Sequence, residues 1–213
     1  MAESSKPRRY DSPRRRSQAA ATRAAILDAA LRLFAERGYA KTSMTAIAAE
    51  SGVAVKTVYL VFASKRGLLL ALWHLLLRGD EEPVPVGERP WFLEVVNEPD
   101  PERLLRLNAR NSRVVKERAG TLLEILRGAA PGDSELQNLW RRIEKEFYDN
   151  QRAIAEQLHQ TGALKAGLDA DRGADILWTL NHPSVYAMLV GDRGWTPQQY
   201  EEWLGDAFCA QLL

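Results

Sequence analysis

The sequence predicts an all-α protein: a three-helix N-terminal unit followed by a larger helical bundle. Three observations support this. Apolar residues recur at three- and four-residue spacing, strand-period alternation is missing, and cap residues paired with proline or glycine punctuate the chain. Hydrophobic residues make up 46% of the 213 positions, enough for packed cores.

The first twenty residues are rich in Arg, Ser and Pro, with little to bury, and read as a flexible basic arm. From Thr22 the pattern changes. Ile26, Ala30, Leu33, Phe34 and Arg37 share helical spacing, and Gly38 is the stop. Thr42 or Ser43 caps a short helix, "MTAIAAES", that Gly52 ends. A second short helix covers residues 55 to 61, and Ser64 caps a long apolar one through "KRGLLLALWHLLL". "GDEEPVPVGERP" (79 to 90) breaks helix three times with proline and reads as a loop. Asp100 with Pro101, and then Asp133, start two further helices. "GLDADRGADILWTLNHPSVYAMLV" reads as one helix bent at Pro183, and the last begins at a capping box of Thr196 and Gln199 with Pro197 between them. The expected division is 1–20, 21–66 and 67–213.

The formal charge of +1 conceals an asymmetry. Met1 to Gly79 holds fourteen Lys and Arg against five Asp and Glu, a balance of +9; the remainder holds fifteen against twenty-three, a balance of −8. A basic N-terminal portion on a nearly neutral chain points to a local polyanion contact. In the arm, Arg14 to Arg16 can follow a minor groove, add nonspecific phosphate attraction, or simply solubilise.

Several classes are disfavoured. No run of 18 apolar residues exists, so no membrane span is expected, and the N-terminus lacks the apolar segment of a secretory signal. A lone Cys209 supports neither a disulfide framework nor a zinc site, and a cytoplasmic location is expected. His74, His159 and His182 stand apart, so no metal is expected. GxGxxG, GxxxxGK and GxSxG are absent; no cofactor or catalytic residue is assigned, and the chain does not read as an enzyme.

Residues 42 to 62 carry the strongest signal. Ala48 is small where two helices must approach, Gly52 four residues later suits a left-handed turn, and Val53 and Val58 can clamp the pair from inside. That is the arrangement of a helix-turn-helix. If Val53, Val58 and Phe62 point inward, Val55, Lys56, Thr57 and Tyr59 project outward. A lysine, a hydroxyl and a phenol on a short helix suit a major groove, with Val55 able to meet a thymine methyl. Tyr59 and Lys65 suit phosphate anchoring.

Over Thr22 to Leu72 the chain resembles the DNA-binding domain of the tetracycline-repressor-like (TetR) family of transcriptional regulators. The resemblance rests on "ERGY", the "TS…IA…GV" of the first motif helix, the "TVY…F" of the second and the "SK…LL" that opens the next. It implies that Thr42, Thr45, Lys56, Thr57, Tyr59 and Lys65 occupy DNA-contacting positions, and Ser43, beside them, joins the same candidate set. It implies a homodimer on double-stranded, palindromic operator DNA, and an all-helical C-terminal domain that binds a small-molecule effector. Leu60 and Val61 depart from the family, which often has polar residues there, as does Arg66, where glutamate is frequent.

Two further groups follow. Tyr200, Trp203, Leu204, Ala207, Phe208 and Gln211 share one face of the last helix. They either pack inside their own domain or join Ile176, Leu177, Leu180, Ala187 and Met188 in a four-helix interface with a second chain. Trp91, Phe92, Asn108, Asn111, Trp140, Phe147 and His182 mix aromatic and polar groups as effector pockets do. The expected function is repression relieved by the effector, whose binding shifts the helix from Ser64 to about Gly79. The alternative is a DNA-binding protein without an effector, either architectural or answering to a protein partner.

Overall fold

The computed structural model describes residues 13–78 and 84–213, and among them every regular element is helical. The chain divides into two compact units, Met1–Ala71 and Leu72–Leu213.

The first unit holds α1 (Pro13–Arg37), α2 (Met44–Ser51), α3 (Val55–Phe62) and the start of α4 (Lys65–Arg78). α1 begins at Pro13, so residues 13–20, expected in the flexible arm, are helical; residues 1–12 of that arm lie outside the described residues. Proline suits a first helical position, and the alanines that follow favour helix without needing a core. Ile26, Ala30, Leu33 and Phe34 of α1, Ile47 and Ala48 of α2, Val58 and Phe62 of α3, and Leu68 and Leu69 of α4 are buried in this unit. Val53 is only half-buried.

The corner between α2 and α3 is built as the residue pattern requires. Gly52 adopts φ 68°, in the left-handed region, and its N–H and that of Val53 close onto the α2 carbonyls. The two helices meet at 111°, within the helix-turn-helix range. Gly67 is required for a different reason: a Cβ there would lie 2.2 Å from the carbonyl oxygen of Phe62. Only a glycine lets α4 start this close to the end of α3. Ser64 Oγ accepts the Gly67 N–H at 3.0 Å, as expected of its cap.

The second unit holds the rest of α4, then α5 (Pro90–Val96), α6 (Pro101–Ala129), α7 (Ser134–Gln160), α8 (Ala170–Leu180), α9 (Pro183–Tyr186) and α10 (Pro197–Leu212). The caps at Asp100, Asp133 and Thr196 form, the last as a reciprocal capping box with Gln199. Of the expected 79–90 loop, residues 79–83 lie outside the described residues; the rest is a 3₁₀ turn and the start of α5. The expected bent helix through Pro183 is broken instead. α8 ends at Leu180, His182 caps α9, and Ala187–Asp192 continues as a π-helix. A residue before proline is pushed out of the helical region, and His182 is extended at ψ 138°. The core gathers Leu104, Leu105 and Ala109 of α6, Ile154 and Leu158 of α7, Leu177 of α8, and Tyr200, Leu204 and Phe208 of α10. Among the described residues no single helix is long and apolar enough to cross a membrane.

Candidate functional sites

In the first unit, the outer surface of α3 is the candidate interface. Val58 and Phe62 face the core, leaving Val55, Lys56, Tyr59, Leu60 and Val61 exposed and Thr57 half-buried. Tyr59 is 51% exposed and Leu60 77%, so the outward face is more apolar than its lysine and tyrosine suggested. Sequence reasoning placed Leu60 only as a departure from the family pattern; its offset of two from Val58 and Phe62 puts it opposite the buried stripe. At the start of α2, Thr45 is exposed, and Ser43 Oγ accepts the Ala46 N–H while its own proton stays available.

Two predicted contact residues are committed inward. Thr42 is 2% exposed, and its hydroxyl donates to the carbonyls of Leu33 and Gly38, at 3.1 and 2.9 Å. Its side chain ties the α1–α2 turn and presents nothing outward. Lys65 Nζ donates to the carbonyls of Tyr39 and Thr42, at 2.8 and 2.9 Å, and lies 4.2 Å from the Tyr39 ring centroid. Both residues position the entry to α2. A small polar residue or a lysine reads the same from sequence in either role, because only the fold decides which acceptors lie within reach.

In the second unit a cavity of about 110 Å³ opens among α4 to α9. All seven residues picked from the sequence line it: Trp91, Phe92, Asn108, Asn111, Trp140, Phe147 and His182. Asn111 Nδ2 donates to the Trp91 carbonyl at 2.8 Å, which holds α5 over the cavity. Trp73, Ser112, Lys116, Gln151 and Asn181 also line it and were missed. A signal for part of this set existed: Asn108, Ser112 and Lys116 recur every four residues along α6, a polar stripe on its buried face. Asn108 Nδ2 donates to Gln151 Oε1, and Asn181 Nδ2 donates to Ser112 Oγ, at 3.2 and 2.7 Å. Lys116 Nζ donates to Asn181 Oδ1 and to the Tyr200 hydroxyl. Burial pushes the Lys116 amine well below the ordinary lysine range and raises the Tyr200 phenol. Burial also lowers His182, whose Nδ1 accepts the Ser184 N–H. Among the described residues no group of three His, Cys, Asp or Glu side chains could hold a metal ion.

The expected self-association face is partly spent within one chain. Leu177, Tyr200, Leu204 and Phe208 are fully buried in the core of their own unit, so they have no surface to offer a second copy. An α10 stripe this wide buries its central residues on α6 and leaves its flanks. Ile176, Leu180, Ala187, Trp203 and Ala207 stay half-buried, and Met188 is exposed.

Comparison with known proteins agrees with this architecture. Residues 26–72 match the model for bacterial regulatory proteins of the tetR family. The HTH-type transcriptional regulator AcrR of Shigella flexneri is 29% identical over 168 residues, covering 76% of this chain and 75% of that protein. The HTH-type transcriptional regulator TtgR of Pseudomonas putida is 29% identical over 167 residues, covering 76% and 77%. The solved SmeT–triclosan complex superposes with a TM-score of 0.69 at 20% identity, covering 91% of this chain and 92% of that one, a likeness of fold.

Proposed function

The chain belongs to the TetR family of transcriptional regulators, and from that premise we propose that it is a repressor which binds a palindromic operator as a homodimer and is released by a small-molecule effector. The observation that carries the reading is the division of α3 into two faces. Val58 and Phe62 anchor it, and Lys56, Tyr59 and their apolar neighbours stand clear of the core. Lys56 supplies a donor to guanine acceptors or phosphate, Thr57 a hydroxyl, and Val55 an apolar contact to thymine methyl. Thr45, the Ser43 hydroxyl and the unpaired first amides of α2 favour phosphate. One eight-residue helix covers too few base pairs to be selective, hence the paired half-sites.

Release is a matter for α4. It is one continuous helix of 14 residues, about 21 Å long, with Lys65 bound to the α1–α2 turn at one end and Trp73 and Leu77 lining the cavity at the other. An effector that pushes on Trp73 or Leu77 tilts this rod and alters the spacing of the two α3 helices. The cavity favours this reading over a regulator without an effector. Fragments selected from genomic DNA by the purified chain test it. A two-fold symmetric site bound by two chains, with half-site centres near a multiple of one helical turn, is the expected outcome; binding by one chain without symmetry preference refutes it.

A further inference from the structure

Lys116 is 4% exposed, on α6, at the wall of the cavity. Its Nζ meets two neutral acceptors, Asn181 Oδ1 and the Tyr200 hydroxyl, the latter at 2.8 Å, with the Tyr200 ring centroid 5.1 Å away. Among the described residues no carboxylate lies within ion-pair distance of it. An ammonium carries three donors, and these two acceptors use two. Asn181 cannot swing away, since its amide nitrogen is held by Ser112 Oγ at 2.7 Å. The amine is therefore fixed in place and carries no compensating charge. A buried cation costs several kcal/mol unless it is paired, and a methionine would fill the same volume without that cost.

The other ionisable groups facing the cavity are on different elements. Glu144 and Glu146 lie on α7, half-buried and exposed respectively, and His182 caps α9. The rest of the lining is dominated by flat apolar surface from Trp73, Trp91, Phe92, Trp140 and Phe147. The free space, about 110 Å³, is close to the ~150 Å³ of a cavity that takes one benzene ring. Such a site combines a mostly apolar, aromatic slot with one positioned amine.

Resting on the reading of this cavity as the effector site, we propose that it selects a compact single-ring molecule bearing a single carboxylate or an equally acidic oxygen, with that oxygen paired to Lys116 Nζ and the ring among Trp91, Phe92, Trp140 and Phe147. Pairing stabilises the charged form of the amine, which burial disfavours, so binding takes up a proton and tightens as the pH falls toward neutrality. A carboxylate stays ionised at neutral pH, and Tyr200, raised by burial, stays neutral.

Titration calorimetry on the full chain with benzoate, the neutral benzamide and the cationic benzylamine tests this. The acid binds at least tenfold more tightly than the amide, and more tightly than the amine, with proton uptake visible in buffers of different ionisation heat. Lys116→Met and Lys116→Gln weaken the acid at least tenfold and the amide less than threefold. Failure to bind the acid, an amide or amine that binds as well as it, or equal losses for acid and amide in both variants overturns the proposal. The wild-type ranking does not depend on how the variants fold. Operator binding is measured separately by fluorescence anisotropy: operator binding without acid preference sinks this inference alone, and acid preference without palindrome binding sinks the operator reading alone.

Discussion

Replacing Thr42 with valine separates the two roles a threonine can have at this position, contact with DNA or support of the turn. Valine matches threonine in shape, so no cavity opens, and the loss is confined to one hydroxyl. That hydroxyl has a single proton shared between the carbonyls of Leu33 and Gly38. A net hydrogen bond contributes about 0.5–1.5 kcal/mol, and a buried acceptor that loses its donor costs about 1–3 kcal/mol. The Leu33 carbonyl lies within α1 and retains its helical partner, and the Gly38 carbonyl is only partly buried, so the lower part of both ranges applies. The expected cost is about 1–2 kcal/mol, a factor of about 5–30 in the folding equilibrium. Urea unfolding followed by helical ellipticity reads the cost, and amide exchange by mass spectrometry over residues 38–52 localises it to this turn. Operator affinity, measured where the variant is folded, stays within about threefold of wild type, because the hydroxyl faces away from solvent. A variant of unchanged stability with a tenfold loss of operator affinity refutes the assignment and returns Thr42 to the contact surface.

Three more outcomes follow from named contacts. Lys56→Ala leaves unfolding within about 0.5 kcal/mol of wild type, since the side chain is exposed, but weakens operator binding and reduces its salt slope by about one; an unchanged slope removes Lys56 from the phosphate contacts. Gly67→Ala destabilises the α3–α4 corner in thermal unfolding even though alanine favours helix by about 1 kcal/mol, because its Cβ meets the Phe62 carbonyl oxygen at 2.2 Å; a variant at least as stable as wild type contradicts that geometry. Lys116 has a folded pKa below its unfolded one, so between those values the unfolded chain holds the extra proton and stability rises with pH. Wild type should therefore gain on Lys116→Met between pH 7 and 10 in urea unfolding, and a gap that is flat or widens against wild type rejects a buried, disfavoured charge.

Features set by local chemistry were legible in the sequence. The caps at Ser43, Asp100, Asp133 and Thr196, and the left-handed Gly52, involve partners within a few residues, and each forms as expected. Amphipathic spacing likewise sorted Val58 and Phe62 from Val55, Lys56 and Tyr59. The N-terminal boundary of α1 was misplaced because Arg, Ser and Ala between 13 and 21 carry no apolar stripe, and a helical stretch whose residues 15–21 are exposed leaves no periodic signature. The helix break at Asn181–His182 was read as a bend because proline alone does not say whether the helix restarts in register. Packing partners far apart in sequence were less accessible still. Whether the α10 stripe faced its own core or a second chain depended on α6, a hundred residues away, whose Arg106 pairs with Asp206 beside that stripe.

The lysines show why residue type alone decides little. Lys56 is exposed on α3, its charge fully hydrated until a polyanion arrives, so it is suited to reading something outside the chain. Lys65 is half-buried and surrounded by carbonyl oxygens and the Tyr39 ring, which satisfy its ammonium without neutralising it, so it works as a clasp. Lys116 is fully enclosed and meets only an amide oxygen and a phenol, an environment that accepts the amine but does not support its charge. The three differ in how much of the water lost on folding has been replaced by other favourable electrostatics: none needed for the first, most of it for the second, too little for the third. A deficit of that kind beside an open, apolar cavity is removed most directly by a ligand that brings its own negative charge, and a neutral ligand of equal shape leaves it in place.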